Sequence, residues 1–237
     1  MRDLHTDAAR GLKWFARAYA SRRYTILFYS LLTTIVAGPL LASVGLDAGL
    51  LEVFLAANLL AAVMPVAAGT GRRFLLSALV AVYSMRIGAS WLNHPAVSTA
   101  SLALWTIVAL LAAAGAIRFA MRASSVDREH LYAALDAYLL FGIFLGVLYW
   151  TLERAWPGSV VVAGQQAEEL LSLSKSIYFS FVTLVTLGYG DVLPHSDAAR
   201  GLAIVEAVTG QLYLAVMIAY LVSLHVRGAS GEKDRSS

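Results

Sequence analysis

No cysteine occurs in this chain of 237 residues. Disulfide staples and thiolate metal sites are therefore excluded. Charge is scarce too: Asp, Glu, Lys and Arg make up 14% of the sequence, well below the roughly 25% of soluble domains. That shortage argues against a large water-soluble core. The formal charge of +3 is modest and gives no support to nucleic acid as a partner. No nucleophile–base pair and no metal-ligand cluster stands out, so an enzyme is not expected and no cofactor is implied. What the chain has in abundance is apolar surface, with 59% hydrophobic residues and a mean hydropathy of +0.70. The expected fold class is an all-α membrane protein of several spans.

Residues 1–23 are polar and basic, with Leu12, Phe15, Ala16 and Tyr19 at helical spacing opposite Lys13 and Arg17. They read either as an amphipathic helix on the membrane surface or as a basic leader with helical tendency. Four apolar runs follow, at 24–45, 48–68, 74–93 and 97–120, each near the ~20 residues that cross a hydrocarbon core. Together they make a four-helix domain over 24–122. The small residues Ala42 to Gly45 resemble a cleavage site, but the run lies far from the start and reads as a retained helix. A polar linker, 123–130, separates this domain from a second, 131–226. The second holds a fifth span at 131–152, a loop at 153–172 and an apolar helix at 174–185, with Ser174 as its N-cap. That helix is too short to span at ~1.5 Å per residue. A sixth span at 198–226 and a polar tail at 227–237, expected to be disordered, complete the chain. With the N-terminus cytoplasmic, Arg154, Lys175 and Arg200 fall outside and Arg86 lies within a span, while the rest of the 18 basic residues fall inside. This inward bias sets the orientation, with both termini cytoplasmic.

Between the short helix and the sixth span lies Thr186-Leu187-Gly188-Tyr189-Gly190-Asp191. It resembles the selectivity filter of the potassium channel family, and the flanking Tyr178 to Val185 and Val192 to Pro194 resemble that family's pore helix and outer mouth. The residue types suit the chemistry. An unhydrated ion in a low-dielectric medium costs tens of kcal/mol by Born estimates, and rings of backbone carbonyls replace the lost water. Successive carbonyls face one axis only if alternate residues leave the ordinary backbone regions. Gly188 and Gly190 do so without a Cβ clash. Thr186 adds a hydroxyl, and Tyr189 is expected to point away from the ions and brace the loop against the pore helix. One chain supplies one strip of carbonyls, so the resemblance implies a homotetramer in the lipid bilayer of a plasma or bacterial inner membrane. The K+ sites would be Thr186, Leu187, Gly188, Tyr189 and Gly190.

The resemblance also implies a support set: Asp191 bonded to Tyr178, with Val182 and Thr183 on the pore helix. Val182 stands where some relatives place a glutamate. The pore helix would aim its C-terminal partial negative charge at the pore. Gly210, 20 residues beyond Gly190, matches the spacing of a hinge glycine in the inner helix, with close helix packing as the alternative. Ala215, Met217, Ile218 and Leu221 below it are candidates for an apolar constriction. Glu206 and Arg86 are intramembrane charges. Glu206 either bonds behind the filter or pairs with a neighbouring helix, with a purely structural, partnered or protonated carboxyl as the alternative, and Arg86 is expected to pair with an acid such as Glu52 or Asp136. The run Ser101 to Arg118 lacks the arginine at every third position that voltage-gated relatives carry, so little voltage dependence is expected. The tail leaves no room for a ligand-binding module in this chain, and a regulatory partner remains open. The implied function is passive, K+-selective conduction. The alternatives are a non-selective cation channel and a non-conducting sensor or regulatory subunit built on the pore fold.

Overall fold

The computed structural model describes residues 22–44, 48–66, 76–81, 83–85, 88, 95–121, 128–164 and 171–233. The basic leader, up to residue 21, and Arg86 lie outside the described residues, as does much of the run read as the third span. Among the described residues, six helices have a defined extent: α1 Arg23–Ser43, α2 Ala48–Val66, α3 Pro95–Met121, α4 Arg128–Ala155, α5 Leu173–Leu184 and α6 Asp197–Lys233. A further short helical stretch covers 76–81. Among the described residues, four helices are long and apolar enough to cross a membrane, over Arg23–Leu41, Leu104–Met121, Arg128–Ala155 and Asp197–Ser223.

Three expectations need correction. The linker ends earlier than its polarity suggests, because α4 begins at Arg128 and Glu129 suits a helix's positive first turn. The tail is not irregular throughout, since α6 continues to Lys233. Polar composition marks where a helix leaves the apolar phase, not where its hydrogen bonding stops. Finally, the loop after the fifth span is not wholly irregular. Val160–Val162 (β1) pairs antiparallel with Val192–Pro194 (β2), aligning Val161 with Leu193. β-branched residues in both segments favour this pairing.

The main core joins both halves of the chain. Leu27 and Leu31 of α1, Leu55 and Leu59 of α2, and Trp105, Val108 and Ala112 of α3 meet Ile143, Phe144 and Val147 of α4 and Ile177 of α5. Helix α3 approaches α4 closely because its facing stripe is small: Ala109, Ala112, Ala113, Ala116 and Ala120 are all buried. Ala133, Ala134 and Ala137 of α4 continue that contact. Helices α1 and α2 are tied through buried Asn58, which accepts from Ser30 Oγ at 2.5 Å and donates to Thr34 Oγ1 at 2.5 Å. At the start of α4, the Glu129 carboxylate accepts from the Tyr24 N–H at 3.0 Å and from Thr25 Oγ1 at 2.5 Å. It thereby satisfies one orphan backbone donor in the first turn of α1, 105 residues away. The Arg23 guanidinium lies 5.0 Å from the Phe119 ring centroid, and that ring stacks on Tyr24.

The chain doubles back after helix α5. Gly210, which Leu184 abuts, lies about 20 Å along α6 from Asp197 at 1.5 Å per residue. The chain then returns to β2, beside the start of α6, through 185–191. Seven extended residues reach roughly 23–25 Å, enough for the return and leaving little slack.

Candidate functional site

The loop 185–191 hangs from the end of α5. The N-cap of helix α5 lies two residues earlier than expected. It is Ser172, whose side chain accepts from the Lys175 N–H. Leu173 is buried in the main core, so the helix begins there instead of after Ser174. At the other end, Thr186 N–H donates to Thr183 O at 3.0 Å, and Leu187 N–H to Val182 O at 2.9 Å. These are the two bonds of a Schellman motif, in which the residue after the cap is left-handed and is usually glycine. Here that residue is Thr186, with φ +59°. A β-branched residue in that region carries roughly 1–3 kcal/mol of strain.

Positive φ recurs at Gly188 (+59°) and Gly190 (+80°), while Leu187 and Tyr189 stay out of that region. Alternation of hand at every second residue turns successive carbonyls to one side of the strand instead of to opposite sides. The glycines were the expected positions. Thr186 was not, because nothing in a threonine announces a left-handed backbone. Val182 and Thr183 reach the loop through their carbonyls, not their side chains. Leu184 O is taken as well, by Gln211 Nε2 at 3.3 Å. With these carbonyls already accepting, the helix end has less partial negative charge to offer the pore than a free terminus.

The far end of the loop is tied to a small scaffold. Tyr178 Oη donates to Asp191 Oδ2 at 2.8 Å, and Asp191 O accepts from the Ala163 N–H at 2.7 Å. Glu153, buried at the end of α4, accepts from the N–H groups of Gly158 and Val160 at 2.8 and 2.9 Å. This carboxylate fixes the turn that positions β1, and sequence reasoning missed it. A hydrogen bond to a charged group contributes about 1.5–3 kcal/mol when buried and less when exposed, and Asp191 is exposed. Tyr178→Phe is therefore expected to cost on the order of 1 kcal/mol, read as a lower thermal midpoint of the purified protein in K+. Asp191→Ala in the Tyr178→Phe background should then add little, and a full second loss would show that the pair is not coupled.

Tyr189 is 66% exposed and Leu187 is 55% exposed, so neither side chain is covered within one chain. Gly210 is a close-packing glycine: a Cβ there would stand 2.5 Å from Leu184 Cδ1 and 2.9 Å from Leu184 O. Met217 is withdrawn from the constriction candidates, because it is buried among Ala133, Ala134 and Ala137. Ile218 remains exposed on α6, as do Val208, Leu212 and Val216. Asp136 is buried with neither carboxylate oxygen bonded among the described residues. Glu52 is not left alone, and its expected pairing with Arg86 lies outside the described residues.

Glu206 is fully buried behind the loop. It meets Tyr149 of α4, whose hydroxyl donates to Oε2 at 2.8 Å, and Ser180 of α5. Sequence reasoning found Glu206 but neither partner. It also missed Gly142 and Gly146, one turn apart on α4, where α5 crosses. Their spacing on an apolar helix is a known close-packing signal and was the available clue.

Residues 134–227 match the family model described as "Ion channel". Two pore potassium channel c of Oryza sativa subsp. japonica is 30% identical over 94 residues, 40% of this chain and 18% of that protein. The A-type voltage-gated potassium channel KCND3 of Homo sapiens is 26% identical over 86 residues, 36% of this chain and 12% of that protein. The uncharacterized membrane protein YdjJ of Bacillus subtilis is 27% identical over 135 residues, 51% of this chain and 39% of that protein. The chain thus spans less than a fifth of the length of the two potassium channels it matches. No solved structure matches it. Residues 134–227, which carry α4 to α6 and the glycine-alternating loop, are thus the part of this chain that is similar to ion channels, potassium channels among them.

Proposed function

We infer that four copies of this chain assemble a K+-selective pore, with the carbonyls of Thr186 to Gly190 replacing the ion's hydration shell. The observation that carries this reading is the positive φ at Thr186, Gly188 and Gly190 and at no residue between them. One strip of carbonyls leaves most of an ion uncoordinated, and a ring of four strips completes the shell. The exposure of Leu187, Tyr189, Val208, Leu212 and Val216 supports the assembly. Contiguous apolar side chains on the loop and on one helix call for cover by other copies, with the brace for Tyr189 coming from a neighbour.

In this reading the chain has six spans, the third running through 74–93, and both termini are cytoplasmic. The first four helices serve as a platform for the pore domain. They lack an arginine ladder, and conduction is passive with weak voltage dependence. The test is flux from liposomes that hold the purified chain, with K+ and Na+ compared at equal gradients. K+ efflux at least about tenfold above Na+ efflux is expected, since a mismatch of only 1.4 kcal/mol at the filter yields that ratio. Equal K+ and Na+ flux would replace selectivity with a general cation pore. No flux from tetrameric protein, across pH and voltage, would count against conduction.

A further inference from the structure

We propose that Glu206 is held as an uncharged carboxylic acid and is the positioning residue that locks α6 against the back of the filter-bearing helix. The argument is a count of hydrogens. Ser180 Oγ lies 2.6 Å from the carbonyl oxygen of Gly142. A carbonyl has no hydrogen to give, so the single hydroxyl hydrogen of Ser180 is committed there. Yet Glu206 Oε1 is also in hydrogen-bond contact with Ser180 Oγ. Two oxygens that close need a hydrogen between them, and the one left to supply it belongs to Glu206. On its other side, Oε2 accepts from Tyr149 Oη at 2.8 Å. The acid therefore donates once and accepts once, and the chain of bonds runs Tyr149 to Glu206 to Ser180 to Gly142. An ionised carboxylate is acceptor-only and would leave one Ser180 contact without a hydrogen.

The surroundings fit a neutral group. Glu206, Ser180 and Tyr149 are all fully buried. Helix α4 brings two tyrosines toward the carboxyl, Tyr149 in hydrogen-bond contact and Tyr138 farther off, and α5 brings the neutral Ser180. No cationic side chain pairs with Glu206 among the described residues, and an unpaired buried carboxylate is costly.

The placement gives the acid its role. Glu206 and Gly210 are four residues apart on one face of α6. The first holds Ser180, and the second abuts Leu184. Between those two contacts lie Val182 and Thr183, whose carbonyls hang the filter amides. Two successive turns of α6 thus clamp the segment of α5 that sets the depth of the filter. That consequence rests on the channel reading; the protonation state does not.

Two measurements test the proposal on the full chain in lipid. The first is an infrared difference spectrum between wild type and Glu206→Gln at neutral pH. A protonated-acid carbonyl band that Glu206→Gln removes is expected, and its absence from the difference overturns the proposal. The second is the K+/Na+ flux ratio. Glu206→Gln keeps one donor for Ser180 and one acceptor for Tyr149, so its ratio should stay within about twofold of wild type. Glu206→Ala and the gentler Ser180→Ala should lower it about tenfold, the equivalent of 1.4 kcal/mol. A Glu206→Gln loss as large as that of Glu206→Ala would also overturn the proposal. Absent wild-type flux would count against the channel reading alone, while the infrared band still decides the protonation.

Discussion

Gly188→Ala is expected to reduce K+ flux to the level of protein-free liposomes. Gly188 sits at φ +59°, where an L-residue with a Cβ is strained by roughly 1–2 kcal/mol. In the proposed ring of four copies that becomes about 4–8 kcal/mol against the alternating conformation. Steric crowding within the chain is not the cause, because a Cβ at Gly188 would meet nothing within 4 Å. Thr186 supplies the instructive contrast. It tolerates φ +59° with a full side chain, but its N–H and that of the next residue make bonds of 3.0 and 2.9 Å to the end of α5. The Gly188 N–H has only a 3.4 Å contact with an already shared carbonyl. The loop therefore has the means to hold strain at its root and lacks them two residues on. Gly201→Ala in α6, also with open space around it but with no positive φ, is the matched control and should conduct normally. The measurement is K+ and Na+ efflux from liposomes at equal protein loading. A Gly188→Ala channel with an unchanged K+/Na+ ratio would remove the loop from the site.

The elements differ in how far the sequence discloses them. Helices α1, α3, α4 and α6 are visible as apolar runs because a helix that crosses hydrocarbon has little choice of composition. The requirement for glycine at 188 and 190 is visible because those positions must take positive φ and a free Cβ would oppose it. Thr186 shares that geometry and is hidden, since its positive φ is enforced by the helix end and not by its own chemistry. Partners far apart in sequence are hidden for a different reason. Glu129 reaches Tyr24 across 105 residues and Tyr149 reaches Glu206 across 57, and no local pattern encodes such a meeting. The face of a helix that is apolar all round is equally silent, which is why Met217 stood among the constriction candidates and proved to be core. Polarity misled at the ends of α4 and α6 because it tracks solvent and not backbone geometry.

Gly146→Ala is expected to be the most destabilising methyl addition in the pore domain. An ideal Cβ at Gly146 would lie 2.6 Å from Ile177 Cα and 3.0 Å from its backbone N. Backbone cannot rotate out of the way, so α5 itself must retreat. Overpacking costs typically 1–3 kcal/mol, and a backbone collision belongs at the upper end. At Gly142 the collision is with the ring edge of Phe181, 2.8 Å away. A ring can swing aside, so Gly142→Ala is expected to cost about 1 kcal/mol. Gly201→Ala meets nothing and should gain up to about 0.5–1 kcal/mol from reduced backbone freedom. Thermal midpoints of the three variants in one detergent should fall in that order. Second-site changes separate the causes. Phe181→Leu should restore part of Gly142→Ala, because it shortens the obstructing group. Ile177→Ala should restore little of Gly146→Ala, because it removes the Cγ1 contact at 2.9 Å but leaves the main-chain atoms at 2.6 and 3.0 Å, so the larger non-additivity is expected in the Gly142 pair. Helix α5 carries the carbonyls that hold Thr186 and Leu187, so its retreat should lower the K+/Na+ ratio of Gly146→Ala along with its stability. A Gly146→Ala protein as stable as wild type would mean that α4 and α5 are not held at this contact.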